Sequence, residues 1–386
     1  MVDFQLGKKK YQKNPPVLHF NKETAKYDLF TTGETFFSSL FTDIKNATSQ
    51  VDMMFFIVRN DEISLELYDL LKQKAIQGVK VRLLVDQVGS FKLKKSIIND
   101  LKDSGVAFSF SNKIRFPFLF YKLNRRNHRK ITVIDQKIGY VGGFNVGKEY
   151  LGKDPNLGPW RDYHLRTTGN IVDNLKQVFK FDWNMAVSGN QFPKGEIIKQ
   201  SGENSTAQQT IKLYVTESGQ LEHLWLNWIT NAKSEILIGT PYFIPSTRIF
   251  EALEDALSRG VDVKIIVPIQ RDHPFVKSGS IPFYQKLSRL GAEVYLYDNG
   301  FYHAKILMID EKLCDVGTAN FDRRSIFLNK EVNCLFDTDT DFITQIRTAF
   351  FEDMKTSHPF SDQWVKQQPL KIKLSGIIAR IIRPLL

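Results

Sequence analysis

Cysteine is scarce in this chain of 386 residues, which contains only Cys314 and Cys334. With no paired histidines nearby, these two residues do not form a zinc-binding pattern. Both lie in apolar, strand-like runs, so we expect buried free thiols in a protein of a reducing compartment.

Long apolar runs are also missing. No run reaches the roughly 18–20 residues that a membrane-spanning helix needs. The first residues, MVDFQLGKKKYQK, lack the apolar core of a signal peptide. The sequence therefore predicts a soluble protein or one that binds a membrane peripherally.

Acidic residues are outnumbered, 42 against 53 Lys and Arg, which gives a net charge of +11. A basic surface favours nucleic acid or an anionic membrane face, although a charge that only aids solubility is an alternative. The C-terminal stretch KIKLSGIIARIIRPLL (371–386) mixes Ile and Leu with Lys and Arg. This pattern fits a basic amphipathic helix on a membrane surface or, equally, a helix docked on the protein core.

The chain contains an internal duplication. IQGVKVRLLVDQ (76–87) resembles LSRGVDVKIIVPIQ (257–270), and LKDSGVAFSFSN (101–112) resembles LSRLGAEVYLYDN (287–299). In each stretch a helix end, a glycine and a strand follow one another. We therefore expect an α/β fold of two pseudo-symmetric domains, each a mixed sheet flanked by helices, with the active site at their interface.

The domain boundaries follow from composition, with a polar Gly/Ser/Asn/Gln-rich stretch as the linker. The predicted segments are a basic N-terminal segment (1–30), a first domain (31–190), the linker (191–210), a second domain (211–368) and a basic C-terminal segment (369–386). The first domain also carries an insertion, KIRFPFLFYKLNRR (113–126). Because five cations are hard to bury, we favour an anionic lipid contact for this loop over a buried hairpin.

The most specific signal is a repeated motif, HRKITVID (128–135) and HAKILMID (303–310). In a strand, the His and Lys of each copy lie on one face, and the Asp lies on the other. Each Asp is therefore expected to fix the following turn, and to reach a reactant only if the strand bends. The candidate catalytic residues are His128, Lys130, Asp135, His303, Lys305 and Asp310.

Each motif is followed by a glycine turn and an asparagine. Asn145 lies 17 residues after His128, and Asn320 lies 17 residues after His303. The turn can bring each asparagine back beside the His-Lys face, which makes both asparagines candidates for substrate binding.

Two histidines, two lysines and two asparagines suit displacement at a phosphodiester. One imidazole attacks phosphorus, and the other protonates the leaving alcohol and later deprotonates the incoming one. Lysine and asparagine donors surround the phosphoryl oxygens. The cations are lysines, so we expect neither a metal nor another cofactor.

Two acids follow the motifs, Asp162 in WRDYHLR and Glu331 in NKEVN. We predict that each orients a catalytic histidine, although either one alone could be an ordinary surface acid.

The paired His-x-Lys-x4-Asp segments with their glycines and asparagines resemble the phospholipase D superfamily. More narrowly, FFIVRNDE, RNHRKITVIDQKIGYVGGFNVGKEYLGKD, WRDYHLR and HAKILMIDEKLCDVGTANFDRRSIFLNKEVN resemble the bacterial cardiolipin synthases with two motifs. The similarity runs from about Asp52 to the C-terminus.

The resemblance implies phosphatidyl transfer between two phosphatidylglycerol molecules, giving cardiolipin and glycerol, with His128 as nucleophile and His303 as acid/base. It also implies peripheral association with the cytoplasmic face of the cell membrane, since the membrane anchor typical of the family is absent from this chain. We expect anionic phospholipid and the membrane surface as partners, no nucleic acid and no obligate protein partner. The alternatives are a hydrolytic phospholipase D-type phosphodiesterase and a nuclease of the same superfamily, with a catalytically inactive membrane scaffold as a further possibility.

Overall fold

The computed structural model describes residues 2–13, 15, 18–188, 210–270, 272, 275–337, 339–382 and 385. Residues 191–209 of the predicted linker lie outside the described residues, as do the side chains of Lys371, Lys373 and Arg380 and the whole of Arg383.

Apart from one edge strand, two large sheets are built from successive stretches of the chain. The strands up to residue 188 are β1 (Leu18–Thr24), β2 (Lys26–Phe30), β3 (Gln50–Phe55), β4 (Lys80–Asp86), β5 (Ala107–Ser111), β6 (Ile131–Ile134), β7 (Ile138–Gly142), β8 (Trp160–Arg161) and β9 (His164–Thr168). The helices are α1 (Val2–Lys13), α2 (Gly33–Lys45), α3 (Glu62–Ile76), α4 (Lys95–Asp103), α5 (Leu119–Asn124) and α6 (Ile171–Val187).

The second stretch repeats this order. Its strands are β10 (Thr210–Thr216), β11 (Glu235–Gly239), β12 (Phe243–Ile244), β13 (Asp262–Pro268), β14 (Glu293–Tyr297), β15 (Phe301–Tyr302), β16 (Ile306–Ile309), β17 (Leu313–Gly317), β18 (Phe321–Asp322), β19 (Glu331–Phe336) and β20 (Ser357–Pro359). Its helices are α7 (Gln220–Asn231), α8 (Thr247–Ser258), α9 (Val276–Arg289), α10 (Arg323–Phe327), α11 (Thr340–Lys355), α12 (Asp362–Gln367) and α13 (Leu370–Ile382).

The two sheets have matching topology. The first has strand order β2-β9-β7-β6-β3-β4-β5, and the second contains the equivalent order β10-β19-β17-β16-β11-β13-β14, extended by β1 and β20 at its edges. Two small sheets pair β12 with β18 and β8 with β15. In each large sheet three strands are parallel and the remaining neighbours of the shared order are antiparallel. The duplication predicted from the sequence is therefore visible as two mixed α/β sheets.

Helices α6 and α11 lie between the two sheets in one shared core. Alternating side chains of β3 show the arrangement: Met54 faces this central core, whereas Met53 and Phe55 face an outer core under α2 and α3. Cys314 and Cys334 are buried free thiols in the central core, as predicted.

The N-terminal 30 residues differ from the single basic segment that composition suggested. Helix α1 packs on α5, β1 joins the edge of the second sheet, and β2 joins the edge of the first. The prediction of a single basic segment rested on the lysines of α1. In β1, however, side chains alternate between the two faces of the strand, and Leu18 and Phe20 are buried on the inner face. At the other end of the chain, α13 packs along α9.

Candidate active site

The two halves are joined by backbone hydrogen bonds at the predicted histidines. Both histidines lie in extended segments just before β6 and β16, rather than inside the strands. The His128 amide donates to the Lys330 carbonyl over 3.0 Å, and the His303 amide donates to the Arg161 carbonyl over 2.7 Å. Each histidine is therefore held beside the residue that precedes the orienting acid of the other half.

The histidines and acids are paired across the halves. His128 Nδ1 lies 2.9 Å from Glu331 Oε2, and His303 Nδ1 lies 2.5 Å from Asp162 Oδ2. Both acids are fully buried. A carboxylate that accepts the Nδ1 proton fixes the tautomer with a lone pair on Nε2, the form that a nucleophile or base needs.

Both imidazoles line one cavity of about 580 Å³. Phe56 and Trp160 pack against His128 and His303, with ring centroids 5.0 and 4.7 Å apart. Both predicted asparagines also line this cavity. Its charged lining consists of Arg59, Lys92, Arg126, Arg324, Asp272 and Asp322.

The motif lysines are buried behind the histidines. Lys130 Nζ donates to the His128 carbonyl over 2.7 Å, and Lys305 Nζ makes the same contact with the His303 carbonyl. Burial lowers the pKa of Lys130 to about 7 and that of Lys305 to about 8, although Glu331 and Asp162 favour the charged forms. A nearby anion favours the charged form of a lysine, so a phosphate group bound at this site would raise the pKa of both lysines.

Burial also keeps the histidines neutral in the free protein. It lowers the pKa of His128 to about 4 against the opposing effect of Glu331. It lowers the pKa of His303 to about 3, and nearby Lys305 adds to the effect. Burial alone would raise the pKa of each acid, but the neighbouring lysines and histidines hold it below its usual value.

Asp135 and Asp310 lie away from the cavity. The Asp135 carboxylate accepts backbone N–H groups of residues 48–50, and the Asp310 carboxylate accepts those of residues 233–235. These bonds outweigh partial burial and lower the pKa of both acids. Because strand parity turns both side chains away from the imidazoles, we correct their catalytic placement to a positioning role at the strand ends.

The two asparagines differ in their contacts. Asn145 Oδ1 accepts the Ile57 amide over 3.0 Å, and its Nδ2 donates to the Tyr150 hydroxyl. Asn320 Nδ2 instead donates to Asp322 Oδ2 over 3.3 Å. Both can present a remaining N–H to a phosphoryl oxygen.

A buried aspartate on each inter-sheet helix was not foreseen from the sequence. Asp182 of α6 accepts from Arg129 Nη1 and Lys330 Nζ, each over 2.7 Å. Its counterpart on α11, Asp353, lies 3.0 Å from Arg161 Nε. Both aspartates anchor the residue that precedes an orienting acid. Arg129, a charged residue between the histidine and the lysine of the first motif, was the available sequence signal for such a partner.

The residue two positions before each asparagine was also missed. Thr318 Oγ1 donates to Glu331 Oε2 over 2.6 Å. The equivalent position in the first half is Gly143, where a Cβ atom would lie only 2.0 Å from Asp162 Oδ1. Glycine therefore makes room for Asp162, whereas threonine supports the longer Glu331.

The fold and the paired half-sites define a phospholipase D-like protein. The family model described as "Cardiolipin synthase, PLD-like domain" matches residues 40–183 and 226–354, and the chain belongs to this family. It is 41% identical to the Minor cardiolipin synthase ClsB of Bacillus subtilis (strain 168), over 96% of this chain and 92% of that protein. It is 39% identical to the Major cardiolipin synthase ClsA of the same organism, over 94% and 76% of the two chains.

Solved structures support the fold. The phosphatidylserine synthase of Haemophilus influenzae Rd KW20 has a TM-score of 0.73 at 15% identity, covering 99% of this chain and all of that chain. The polyphosphate kinase of Porphyromonas gingivalis has a TM-score of 0.60 at 14% identity, covering 92% of this chain and 52% of that chain.

Proposed function

We propose that this chain is a cardiolipin synthase that transfers a phosphatidyl group between two phosphatidylglycerol molecules. Family membership supports the reaction class. The observation that carries the proposal is that two imidazoles, each oriented by an acid of the other half, line one cavity. This arrangement suits a double displacement with one covalent intermediate.

In the first step, His128 Nε2 attacks phosphorus, a P–N bond forms, and the P–O bond to the headgroup glycerol breaks. His303 supplies the proton that the leaving oxygen takes up. Its pKa is low in the free protein, but the diester anion favours the protonated form once it enters the cavity.

In the second step, a headgroup hydroxyl of another phosphatidylglycerol enters. His303 removes its proton, the new P–O bond forms, and the P–N bond to His128 breaks. Asn145 and Asn320, which line the cavity, donate to the phosphoryl oxygens, and the positive charges of Lys130 and Lys305 behind the histidines stabilise the negative charge on them.

The product distribution tests this reaction. Phosphatidylglycerol vesicles incubated with purified protein should yield cardiolipin and glycerol by mass spectrometry. Phosphatidic acid as the main product would instead indicate a hydrolase. Cleavage of single-stranded DNA with the lipid left unchanged would indicate a nuclease.

We also propose that the protein binds the cytoplasmic face of the cell membrane peripherally, through the surface formed by α1 and α5. Among the helices in the described part of the chain, none is long and apolar enough to span a bilayer. On α1 and α5 the exposed apolar side chains are Val2, Leu6, Leu119, Phe120 and Leu123, and Phe116 just before α5 is 85% exposed. Lysines of α1 lie on the same element, as expected for contact with anionic headgroups.

Packing contacts connect the α1–α5 surface to the active-site cavity. Tyr121 of α5 packs in one cluster with Phe4 of α1, and Leu385 packs against that cluster. Leu385 also lines the active-site cavity. Binding through this surface would therefore place the cavity near the lipid headgroups.

Vesicle sedimentation tests the surface. Phe116→Ser should weaken binding to phosphatidylglycerol vesicles roughly tenfold, because one apolar side chain no longer enters the bilayer. The matched control is Ile76→Ser: Ile76 is 74% exposed and is the last residue of α3, outside both the α1–α5 surface and the cavity lining. High salt should weaken vesicle binding of the wild-type protein and of both variants. Equal loss in both variants, or binding insensitive to salt, would contradict the proposal.

A further inference from the structure

One large apolar side chain is exposed at the mouth of the active-site cavity. Phe91, in the β4–α4 loop (residues 87–94), is 70% exposed and also lines the cavity. The other large apolar side chains that are exposed in the described part of the chain do not line it. An aromatic ring held in water forgoes the free energy that burial releases, so a partner that covers this ring is bound favourably.

Hydrogen bonds fix the loop on both sides of Phe91. Before it, Ser90 is buried, and its hydroxyl donates to the Phe56 carbonyl over 3.1 Å. After it, the Asn60 side chain donates to the Lys92 carbonyl over 2.9 Å. The loop therefore holds Phe91 between two anchored neighbours and presents its ring outward.

The same loop packs against a residue that contacts the proposed nucleophile. A Cβ atom on Gly89 would lie only 2.2 Å from the Phe56 carbonyl oxygen, so the two segments are in close contact. The Phe56 ring in turn packs on the His128 imidazole. A molecule that passes Phe91 thus enters the cavity on the side of His128.

The surroundings of Phe91 are basic. Lys92, Lys94 and Lys95 follow it and are exposed, and residues 87–95 contain no acidic side chain. Lys92 also lines the cavity, and its Nζ lies 5.6 Å from the centroid of the Phe91 ring. An aromatic ring beside several lysines matches the interface of an anionic bilayer, where the ring enters the apolar region and the ammonium groups meet phosphates.

The loop is continuous with the α1–α5 surface. The Gln87 side chain accepts a hydrogen bond from the Ile114 amide over 2.8 Å, and the Gln87 amide donates to the Ser111 carbonyl over 3.2 Å. Ile114 is two residues before Phe116, the most exposed apolar side chain of that surface. This continuity favours the bilayer already proposed for that surface over a separate protein partner.

We propose that the β4–α4 loop is the lipid entrance of the active site. Phe91 inserts between the acyl chains of the bilayer, and the neighbouring lysines bind the phosphates of anionic headgroups. A phosphatidylglycerol beside Phe91 then moves its headgroup into the cavity while its acyl chains stay in the membrane. The inference rests on the proposed function for the identity of this lipid, and it adds the route by which the lipid reaches His128.

Site-directed labelling tests the contact with the bilayer. The native thiols Cys314 and Cys334 are fully buried, so a thiol-reactive fluorophore attaches selectively to an introduced, exposed cysteine. A bimane label in Phe91→Cys should lose fluorescence when phosphatidylglycerol vesicles carry a spin label on their acyl chains. A label in Ile76→Cys, the matched control, should keep its fluorescence. No quenching in Phe91→Cys, or equal quenching in both variants, would overturn the entrance.

Two substrates with the same reacting group test the role in lipid entry. Phosphatidyl-p-nitrophenol with long acyl chains is held in phosphatidylglycerol vesicles, whereas its dibutyroyl form dissolves as monomers and needs no bilayer entrance. At vesicle concentrations that bind all of the protein, Phe91→Ser should lower the ratio of p-nitrophenol release from vesicles to release from monomers about tenfold. Phe91→Trp should keep the wild-type ratio, because tryptophan also enters the membrane interface.

An unchanged ratio in Phe91→Ser would overturn the proposal, as would an equal loss with both substrates, since Phe91 would then act on the chemistry rather than on entry. Release of p-nitrophenol reports the first step alone. Phosphatidic acid as the only product would therefore contradict the transferase function, while the ratio would still decide the entrance. No turnover of either substrate, with the label at residue 91 quenched, would contradict the proposed function and support the bilayer contact.

Discussion

The two half-sites share one backbone plan but are not interchangeable. In the first half, Gly143 leaves room for the short acid Asp162, which lies 3.7 Å from Lys305 Nζ. In the second half, the longer acid Glu331 is supported by Thr318 and Asn329, both neutral donors.

We expect this difference to separate the proposed roles of the two histidines. The charge of Asp162 is shared between His303 and a lysine, which weakens its support for a protonated imidazole and suits His303 to giving up a proton. Glu331 supports His128 without such a close cation, which favours a more nucleophilic Nε2. The contrast agrees with His128 as nucleophile and His303 as acid/base.

The largest expected effect comes from removing either imidazole. His128→Gln or His303→Gln should lower cardiolipin formation at least about 1,000-fold, because each step needs both groups. His358→Gln is the matched control, since that side chain is 66% exposed and should be dispensable. Activity within tenfold of wild type in either catalytic variant would refute the shared site.

A smaller effect is expected at the position where the halves diverge. Gly143→Ala should lower turnover about 100-fold, because the added Cβ displaces the carboxylate that orients His303. Thr318→Ala removes one hydrogen bond to Glu331 and should cost less than about tenfold. Equal losses in the two variants, with unchanged thermal unfolding, would contradict the proposed asymmetry.

Neutralising the orienting acids should weaken turnover without abolishing it. Asp162→Asn and Glu331→Gln each lose one charge-assisted hydrogen bond, for which we expect a decrease of roughly 10–100-fold in kcat/KM. Steady-state kinetics with phosphatidylglycerol measure it. Wild-type kinetics in either variant would show that the acid is not needed to orient its histidine.

The smallest effect concerns pH. A lysine loses its charge as pH rises through its pKa, so kcat/KM should fall above about pH 7 to 8, where Lys130 and Lys305 become neutral. Lys305→Arg keeps a charge at that position and should move this limb to higher pH, even if the absolute rate falls. An unchanged alkaline limb would show that Lys305 does not set it.

The duplication and the catalytic histidines could be predicted from the sequence because both depend on short, local sequence patterns. The pairing of His128 with Glu331 and of His303 with Asp162 was not, since it joins residues 203 and 141 positions apart. Strand β1 was missed for a similar reason: its partner β10 lies in the other half, and its own pattern is short. Asp182 looked like an ordinary helix residue until the packing of α6 placed it against Arg129 and Lys330.

Trapping the covalent intermediate tests most directly whether one phosphorus atom passes between the two halves. In His303→Gln, phosphatidyl-p-nitrophenol carries a leaving group that needs no proton, so attack by His128 proceeds while the second step stalls. Peptide mass spectrometry at neutral pH should find the phosphatidyl group on His128, with one equivalent of p-nitrophenol released. An adduct on a different residue, or p-nitrophenol release without any adduct, would contradict the account.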